Sequence, residues 1–431
     1  MSFSKVCVVG LGYIGLPTAA LMASRAVDVV GVDVNPSVVD SVNRGAVHFI
    51  EPLLEAIVQD AVSTGRLRAS VLPETADAFL IAVPTPITEA KASDLTYVLS
   101  ATDAIAPVLK AGDLVVLEST SPVGATETVA RRLAAARPDL RFPETGGAGA
   151  FDVHVAYCPE RVLPGRVIEE LVSNDRAIGG MTPACTERAV ALYRLFVEGE
   201  LVRTQAREAE LCKLAENAFR DVNIAYANEL ANVCDRNGVD VWEVIRLANR
   251  HPRVNILNPG PGVGGHCIAV DPWFIAESAP DDTPVIQAAR RVNDGRPHRV
   301  VEKIAAATAD LATPVVACLG LAFKADIDDL RESPAVEIAL EAAGLHGIKV
   351  LAVEPNISAL PPALAAAGVE LVDLDAAVAR ADVLVLLVDH KPFKVAAERL
   401  AAAPRVIDTR GLLQAFRAKS PASARVADPA A

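Results

Sequence analysis

Hydrophobic residues first fall in short unbroken runs. Residues 6–10 (Val-Cys-Val-Val-Gly) have the pattern of a buried strand. The segment Gly10-Leu11-Gly12-Tyr13-Ile14-Gly15 follows, and an Ala/Leu-rich helix is expected from about 16 to 25. A second strand, Val29 to Val32, ends at Asp33, and further apolar runs occupy 79–83 and 114–117. Each of the later runs gives way to Pro, Ser, Thr or Gly, as where strands deliver loops to a ligand. Continuously apolar strands alternating with helical stretches predict a parallel, doubly wound sheet. Residues 143–151 are Gly/Ala-rich and are expected to form a surface loop.

The pattern changes at about 206. Glu, Ala, Leu, Lys and Asn dominate, with no proline before Pro252. This predicts a long helix from 206 to 236, a turn at Gly238 and a shorter helix to about 250. Strands resume at 315–319, closed by Gly320, and again at 348–353, 383–388 and 405–408. The last third therefore repeats the strand–glycine–helix grammar of the first. The expected α/β architecture is two Rossmann-like, doubly wound lobes (1–205 and 306–431) joined by a helical central domain (206–305). The Ala/Pro/Ser-rich tail after Arg417 is expected to be mobile.

Composition narrows the class. The 431 residues are 52% hydrophobic but only 4% aromatic, so Ala and Val do most of the filling. The longest apolar candidate, Val383 to Val388, falls far short of the roughly 18 residues a membrane helix needs. The N-terminus runs straight into strand 6–10 without a signal-peptide layout, so a soluble cytoplasmic protein is expected. A net charge of −13 argues against a nucleic-acid partner, although basic residues can still hold an anion locally. The seven cysteines are scattered, with no Cys-x-x-Cys pair, so neither a disulfide framework nor a metal site is expected.

A lone Gly-x-Gly-x-x-Gly motif says little. Here it follows a strand, opens a helix and precedes Asp33 by eighteen residues from Gly15, the context of a dinucleotide site. Gly10 would allow the tight turn, Gly12 the approach of backbone to a pyrophosphate, and Gly15 close packing. A carboxylate at Asp33 would accept from ribose hydroxyls and repel a 2′-phosphate, favouring NAD over NADP. The competing reading is a structural turn with a surface aspartate.

The second informative stretch runs from Asn258 to Trp273. Four glycines and two prolines within Pro259–Gly265 break any helix or strand. Cys267 follows, beside His266 and four residues before Asp271. A thiol there becomes a nucleophile if a positive group lies nearby; the alternative is an inert buried cysteine. On the long helix, Lys213, Asn217 and Arg220 are spaced i, i+4, i+7 and form one polar stripe. Such a stripe is either a solvated face or a set of donors for an oxyanion, and the sequence does not separate the two.

At this point the chain resembles the UDP-glucose/GDP-mannose dehydrogenase superfamily over essentially its whole length. The resemblance is carried by Gly-Leu-Gly-Tyr-Ile-Gly-Leu-Pro at 10–17, Val-Pro-Thr-Pro at 83–86 and Glu-Ser-Thr-Ser-Pro-Val-Gly at 118–124. Tyr-Cys-Pro-Glu-Arg-Val at 157–162, Gly-Gly-His-Cys at 264–267 and Gly-Leu-Ala-Phe-Lys at 320–324 extend it. Segments 216–230, 251–257 and 264–274 are most similar to members acting on UDP-N-acetyl-D-mannosamine. Ala325 departs from the proline that usually follows the lysine at 324.

The resemblance implies a four-electron oxidation of a sugar C6 alcohol to a carboxylate, with two NAD+ per turnover and a Cys267 thiohemiacetal and thioester. It implies that Lys213 and Asn217 stabilise the oxyanion and that Asp271 takes part in proton transfer. Glu160 and Thr120 would orient water or substrate. Tyr13, Ile14, Asp33, Thr85, Thr126 and Arg331 would contact NAD, beside the glycines at 10, 12 and 15. Arg161, Val162, Lys213, Asn217, Arg220, His251, Arg253, Gly264, Phe323 and Lys324 would line the UDP-sugar site. Arg253 would serve either its own site or that of a second copy. The second lobe, with the single glycine Gly320 at its first turn, would hold the substrate nucleotide, and the long helix would form a homodimer core. The implied setting is the supply of precursors for surface polysaccharide. Alternatives are the same chemistry on UDP-N-acetylglucosamine, UDP-glucose or GDP-mannose, a two-electron dehydrogenase that needs no Cys267, and a non-catalytic dinucleotide-binding protein.

Overall fold

The computed structural model describes residues 3–417, apart from 50, 89, 145–148, 164 and 266. His266, the centre of the 143–151 loop and the tail beyond Arg417 thus lie outside the described residues. The chain divides into two compact units, and the division falls within the long helix. One unit runs to Glu216 and includes Trp273–Asp282; the other holds Asn217–Pro272 and the chain from Thr283.

The first unit is built on eight strands: β1 Lys5–Val9, β2 Asp28–Val32, β3 Leu67–Ser70, β4 Ala78–Ile81, β5 Leu114–Leu117, β6 His154–Tyr157, β7 Arg176–Gly180 and β8 Leu201–Gln205. Their order is β3-β2-β1-β4-β5-β6-β7-β8. Successive residues of β1 point to opposite faces: Val6 and Val8 enter one apolar layer, Cys7 and Val9 the other. A strand covered on both faces has no polar positions to alternate, which is why the sequence shows it as a continuous run. Pairing is parallel from β3 through β6. β7 then pairs antiparallel with β6, and β8 parallel with β7. The sheet is therefore mixed at this end rather than wholly parallel. Strand order reverses between β1 and β4, the switch point where doubly wound sheets bind ligands.

The second unit carries β9 Val315–Leu319, β10 Lys349–Val353, β11 Glu370–Leu371, β12 Val383–Leu386 and β13 Val406–Asp408. All are parallel, in the order β11-β10-β9-β12-β13. Helices Arg296–Thr308 and Pro334–Ala343 supply buried residues to one face of this sheet. The expected helix directly after Gly320 is absent. The chain instead loops to Ser333, whose hydroxyl caps the helix beginning at Pro334 by accepting from Ala335 N–H. The long helix spans Ala206–Arg236, as its residue pattern predicts, followed by Val241–Ala248.

Candidate active site

The glycine turn leaves β1 and enters the helix Gly15–Ser24. Gly10 has φ +96°, and a Cβ there would lie 2.4 Å from the Ala82 carbonyl oxygen. A Cβ on Gly15 would lie 1.8 Å from the carbonyl oxygen of Gly10. A Cβ on Gly12 would meet no protein atom within 4 Å. The outer glycines are demanded by the chain itself, whereas the middle one faces open space, as a cradle for a pyrophosphate requires. Asp33, at the end of β2, accepts from Leu11 N–H at 3.1 Å and Asn35 N–H at 2.9 Å. These two donors fix the carboxylate beside the turn and leave acceptor capacity on it. The residues present thus fit a dinucleotide. Tyr13 stacks on Phe49 with ring centroids 4.2 Å apart, and Ile14 is half-buried at the start of the helix.

The loops at the ends of β4 and β5 are tied together. Thr85 donates its hydroxyl to the Thr120 carbonyl at 2.5 Å, bringing two expected site residues into contact. Thr126 is fully buried, and its hydroxyl and N–H both go to Glu210 Oε1, at 2.6 and 2.8 Å. Its side chain thus supports the loop wall and presents no surface to a ligand in this conformation. Glu160 is buried, with Oε2 2.8 Å from Arg176 and Oε1 accepting from Arg161 N–H at 2.6 Å. Arg161 pairs with Glu216 at 2.7 Å, and Val162 packs against the core. Lys213 is 8% exposed and makes no ion pair among the described residues.

In the second unit the glycine loop is held at several points. Gly260 donates its N–H to Asn228 Oδ1 at 2.9 Å, and its carbonyl accepts from Arg296 Nε at 2.9 Å. A Cβ on Gly264 would lie 2.3 Å from the Glu332 carbonyl oxygen, and one on Gly265 3.0 Å from the Phe323 ring. The loop and Phe323, paired by resemblance, are thus in direct contact. Cys267 at the end of this loop is exposed, while five of the other cysteines are buried and Cys212 is intermediate. The inert buried-cysteine reading does not hold for Cys267. Asn217 donates to Asp271 Oδ2 at 2.5 Å, and Asp271 is buried and starts the helix Asp271–Ser278. With Lys213 buried and Asn217 so bonded, only Arg220 of the three fits a solvated face. His251 and Arg253 are exposed and joined through Arg253 N–H to His251 Nδ1 at 3.3 Å. Lys324 is half-buried, and Arg331 is exposed and pairs with Asp329 at 2.7 Å.

Several supporting residues were not singled out from the sequence. Glu210, Asp221 and Asn228 are fully buried along the long helix. In the second unit, Glu354 repeats the arrangement of Asp33: it accepts from Leu321 N–H at 2.7 Å and Asn356 N–H at 3.1 Å. Here, however, Ala322 N–H, the Asn356 amide and the buried His390 imidazole also converge on the carboxyl group.

The NAD binding domain of the UDP-glucose/GDP-mannose dehydrogenase family matches residues 4–197, its central domain 207–295 and its UDP binding domain 317–415. The chain belongs to that family. It is a nucleotide-sugar dehydrogenase with an NAD-binding domain. Among its relatives is an NDP-N-acetyl-D-galactosaminuronic acid dehydrogenase from Ralstonia nicotianae, 59% identical over 97% of this chain and 98% of that protein. Another is the UDP-N-acetyl-D-mannosamine dehydrogenase of Yersinia pestis, 58% identical over 96% of this chain and all of that protein. The solved UDP-D-ManNAc dehydrogenase from Pyrococcus horikoshii is 37% identical, with a TM-score of 0.86 covering 98% of each chain. As in the sequence, no helix among the described residues is long and apolar enough to cross a membrane. Nor do they contain a group of His, Cys, Asp and Glu suited to a metal ion.

Proposed function

We propose that this family member oxidises C6 of UDP-N-acetyl-D-mannosamine to the uronate, in the cytoplasm, through a covalent adduct on Cys267. The observation that carries the mechanism is the exposed Cys267 at the end of a clamped glycine loop, four residues before the Asn217–Asp271 pair. NAD+, when bound, accepts a hydride from C6 in each of two oxidations, so two are consumed per sugar. After the first oxidation the Cys267 thiolate adds to the aldehyde carbon, and the C–S bond converts a carbonyl into a tetrahedral alkoxide that can be oxidised again. Lys213 and Asn217, one turn apart on one helix, donate to that alkoxide; losing one such donor typically costs about 10²–10³ in rate. The second oxidation leaves a thioester. Water adds its oxygen to the thioester carbon, the C–S bond breaks, sulfur leaves as thiolate and the two protons of the water are released. Asp271 moves protons at the Lys213 side, while Glu160 and Thr120 orient water and substrate.

Tyr13, Ile14, Asp33, Thr85 and the glycine turn serve NAD, with Arg331 added and Thr126 acting through the loop it holds. Arg161, Val162, Arg220, His251, Arg253, Gly264, Phe323 and Lys324 serve the UDP-sugar. The match of 317–415 to a UDP binding domain supports giving the nucleotide to the second lobe, and the saturated Glu354 carboxyl supports excluding a second NAD there. Domain limits of 1–205, 206–305 and 306–431 go with this division, as does a homodimer through the long helix.

A second sugar has specific support. The Ralstonia relative is named for N-acetyl-D-galactosaminuronic acid at 59% identity, within two percentage points of the mannosamine enzymes at 57–58%. The test is incubation of the full chain with UDP-N-acetylmannosamine, UDP-N-acetylgalactosamine, UDP-N-acetylglucosamine, UDP-glucose or GDP-mannose plus NAD+. We expect two NADH per UDP-N-acetylmannosamine and a product 14 Da heavier in its acid form, from loss of two hydrogens and gain of one oxygen (roughly, as integer masses). Turnover confined to another sugar overturns the substrate, and two NADH per sugar from Cys267→Ala overturns the covalent route.

A further inference from the structure

Glu160 belongs to a buried polar cluster in the first unit whose other members take no part in the proposed steps. Arg176, on β7, is 3% exposed and donates from Nη2 to Glu160 Oε2 at 2.8 Å. Its guanidinium lies 5.2 Å from the ring centroid of Tyr193 and 5.7 Å from that of Phe196. Arg161 N–H fixes the other Glu160 oxygen. On the far side Tyr193 donates its hydroxyl to Glu118 Oε1 at 2.5 Å. Glu118 Oε2 is buried with no partner among the described residues, and the Cys158 thiol lies 3.9 Å from Arg176 Nη1.

Two buried carboxyl groups therefore face one guanidinium. Burial pushes the Glu118 carboxyl up to about 7 and the Cys158 thiol up to about 12, so Cys158 is neutral at pH 7, and Glu118 is about half ionised there and largely neutral only below it. The charge of Arg176 then goes to Glu160. For stability alone such a pair has little merit, since an apolar pair of similar volume often does as well. What the ion pair and the flanking rings add is a fixed carboxylate orientation.

We propose that Arg176 is a positioning residue for Glu160, holding its carboxylate in the orientation from which it directs water at the Cys267 thioester. This rests on the roles given to Glu160 and Cys267 above. The experiment compares Arg176→Lys, Glu160→Gln and the double variant in the full-length enzyme with NAD+ and the accepted UDP-sugar. NADH release is followed before and during the steady state, and intact mass reports any sugar adduct on Cys267.

We expect Arg176→Lys to keep NAD affinity within about twofold and to retain the NADH burst. Its steady-state rate should fall about 10- to 100-fold as the adduct accumulates. The double variant should be no slower than Glu160→Gln alone, because both changes disable one function. If Arg176→Lys fails to fold, Phe196→Leu keeps the ion pair, loosens the ring clamp and should show the same signature to a smaller degree. Adduct with Glu160→Gln but not with the folded Arg176 or Phe196 variant overturns the positioning role. Additive losses in the double variant overturn it too. No adduct and no rate loss with Glu160→Gln overturns the reading of Glu160 instead.

Discussion

A methyl group would have opposite consequences at Gly12 and Gly15, three residues apart in one turn. At Gly15 it would collide with the Gly10 carbonyl, 1.8 Å away, so backbone must move. Such overpacking costs about 1–3 kcal/mol or more, and Gly15→Ala should melt at least several degrees lower. At Gly12 the methyl meets no protein atom, so Gly12→Ala should melt within a degree or so of the parent. Its NAD affinity should nonetheless fall roughly tenfold, because the methyl fills the space the pyrophosphate needs. Thermal melts of the apo proteins with NADH titrations check both, and a Gly12→Ala that binds NADH normally would mean the cofactor approaches elsewhere. Glu118 gives a residue-scale prediction with a sign. Its carboxyl titrates at about 7 in the folded chain, against an ordinary 4.5, because burial disfavours its charge. Between those values the folded state keeps a proton that the unfolded state has lost. This stabilisation is full below 4.5 and is lost as pH rises through about 7. Glu118→Gln cannot ionise. Relative to the parent it should gain stability between pH 5 and pH 8, by up to roughly 3 kcal/mol. Urea unfolding at the two pH values measures this; parallel shifts of both proteins would show that Glu118 is not the titrating group.

At the scale of elements, legibility in the sequence followed burial. Strands β1, β2, β4, β5, β9 and β12 are covered on both faces and stand out as apolar runs. Strands β3 and β8 escaped notice because each lies at an edge of its sheet, where Arg68, Val202 and Arg203 face solvent. β7 hid for another reason: Arg-Ala-Ile-Gly-Gly has little β-propensity. Its glycines are needed because side chains at 179 and 180 would strike the backbone of Gln205 and Thr186. The long helix was legible in its limits but not in its polar residues. Lys213, Asn217 and Arg220 looked like one stripe. The structure instead runs a polar line through buried Glu210, Lys213, Asp221 and Asn228 and half-buried Asn217, at intervals of three, four, four and seven. Each satisfied member is matched by a distant group: Thr126 for Glu210, Asp271 for Asn217, Arg290 for Asp221 and Gly260 for Asn228. A local pattern cannot announce partners that lie 54 to 84 residues away, as in the first three pairs. The glycine loop was easier to recognise because its requirement is local: backbone without Cβ, wherever Phe323 and Glu332 come to lie.

The whole molecule carries a net charge of −13 and acts on an anionic class of substrate, so charge must be arranged locally rather than by total. Its apolar surface has an order of its own. On the long helix Phe219, Tyr226 and Val233 are 72%, 55% and 52% exposed, and they are spaced seven residues apart. Residues at that interval lie on nearly one line of a helix, drifting only about 20° per heptad. Large apolar groups in such a line are the seam by which helices pair. A two-fold axis lets the same seam serve both copies, so one chain suffices for both sides of the contact. Light scattering should therefore give about twice the 45.2 kDa of one chain. Phe219→Glu combined with Tyr226→Glu should give the single-chain mass at micromolar concentration, since each places a desolvated charge in the seam. Because Phe219 neighbours Arg220, the dissociated variant should also lose activity more than it loses NADH binding. A parent protein that is monomeric, or a double variant that remains dimeric, would remove the seam from consideration and leave these three side chains as isolated surface residues.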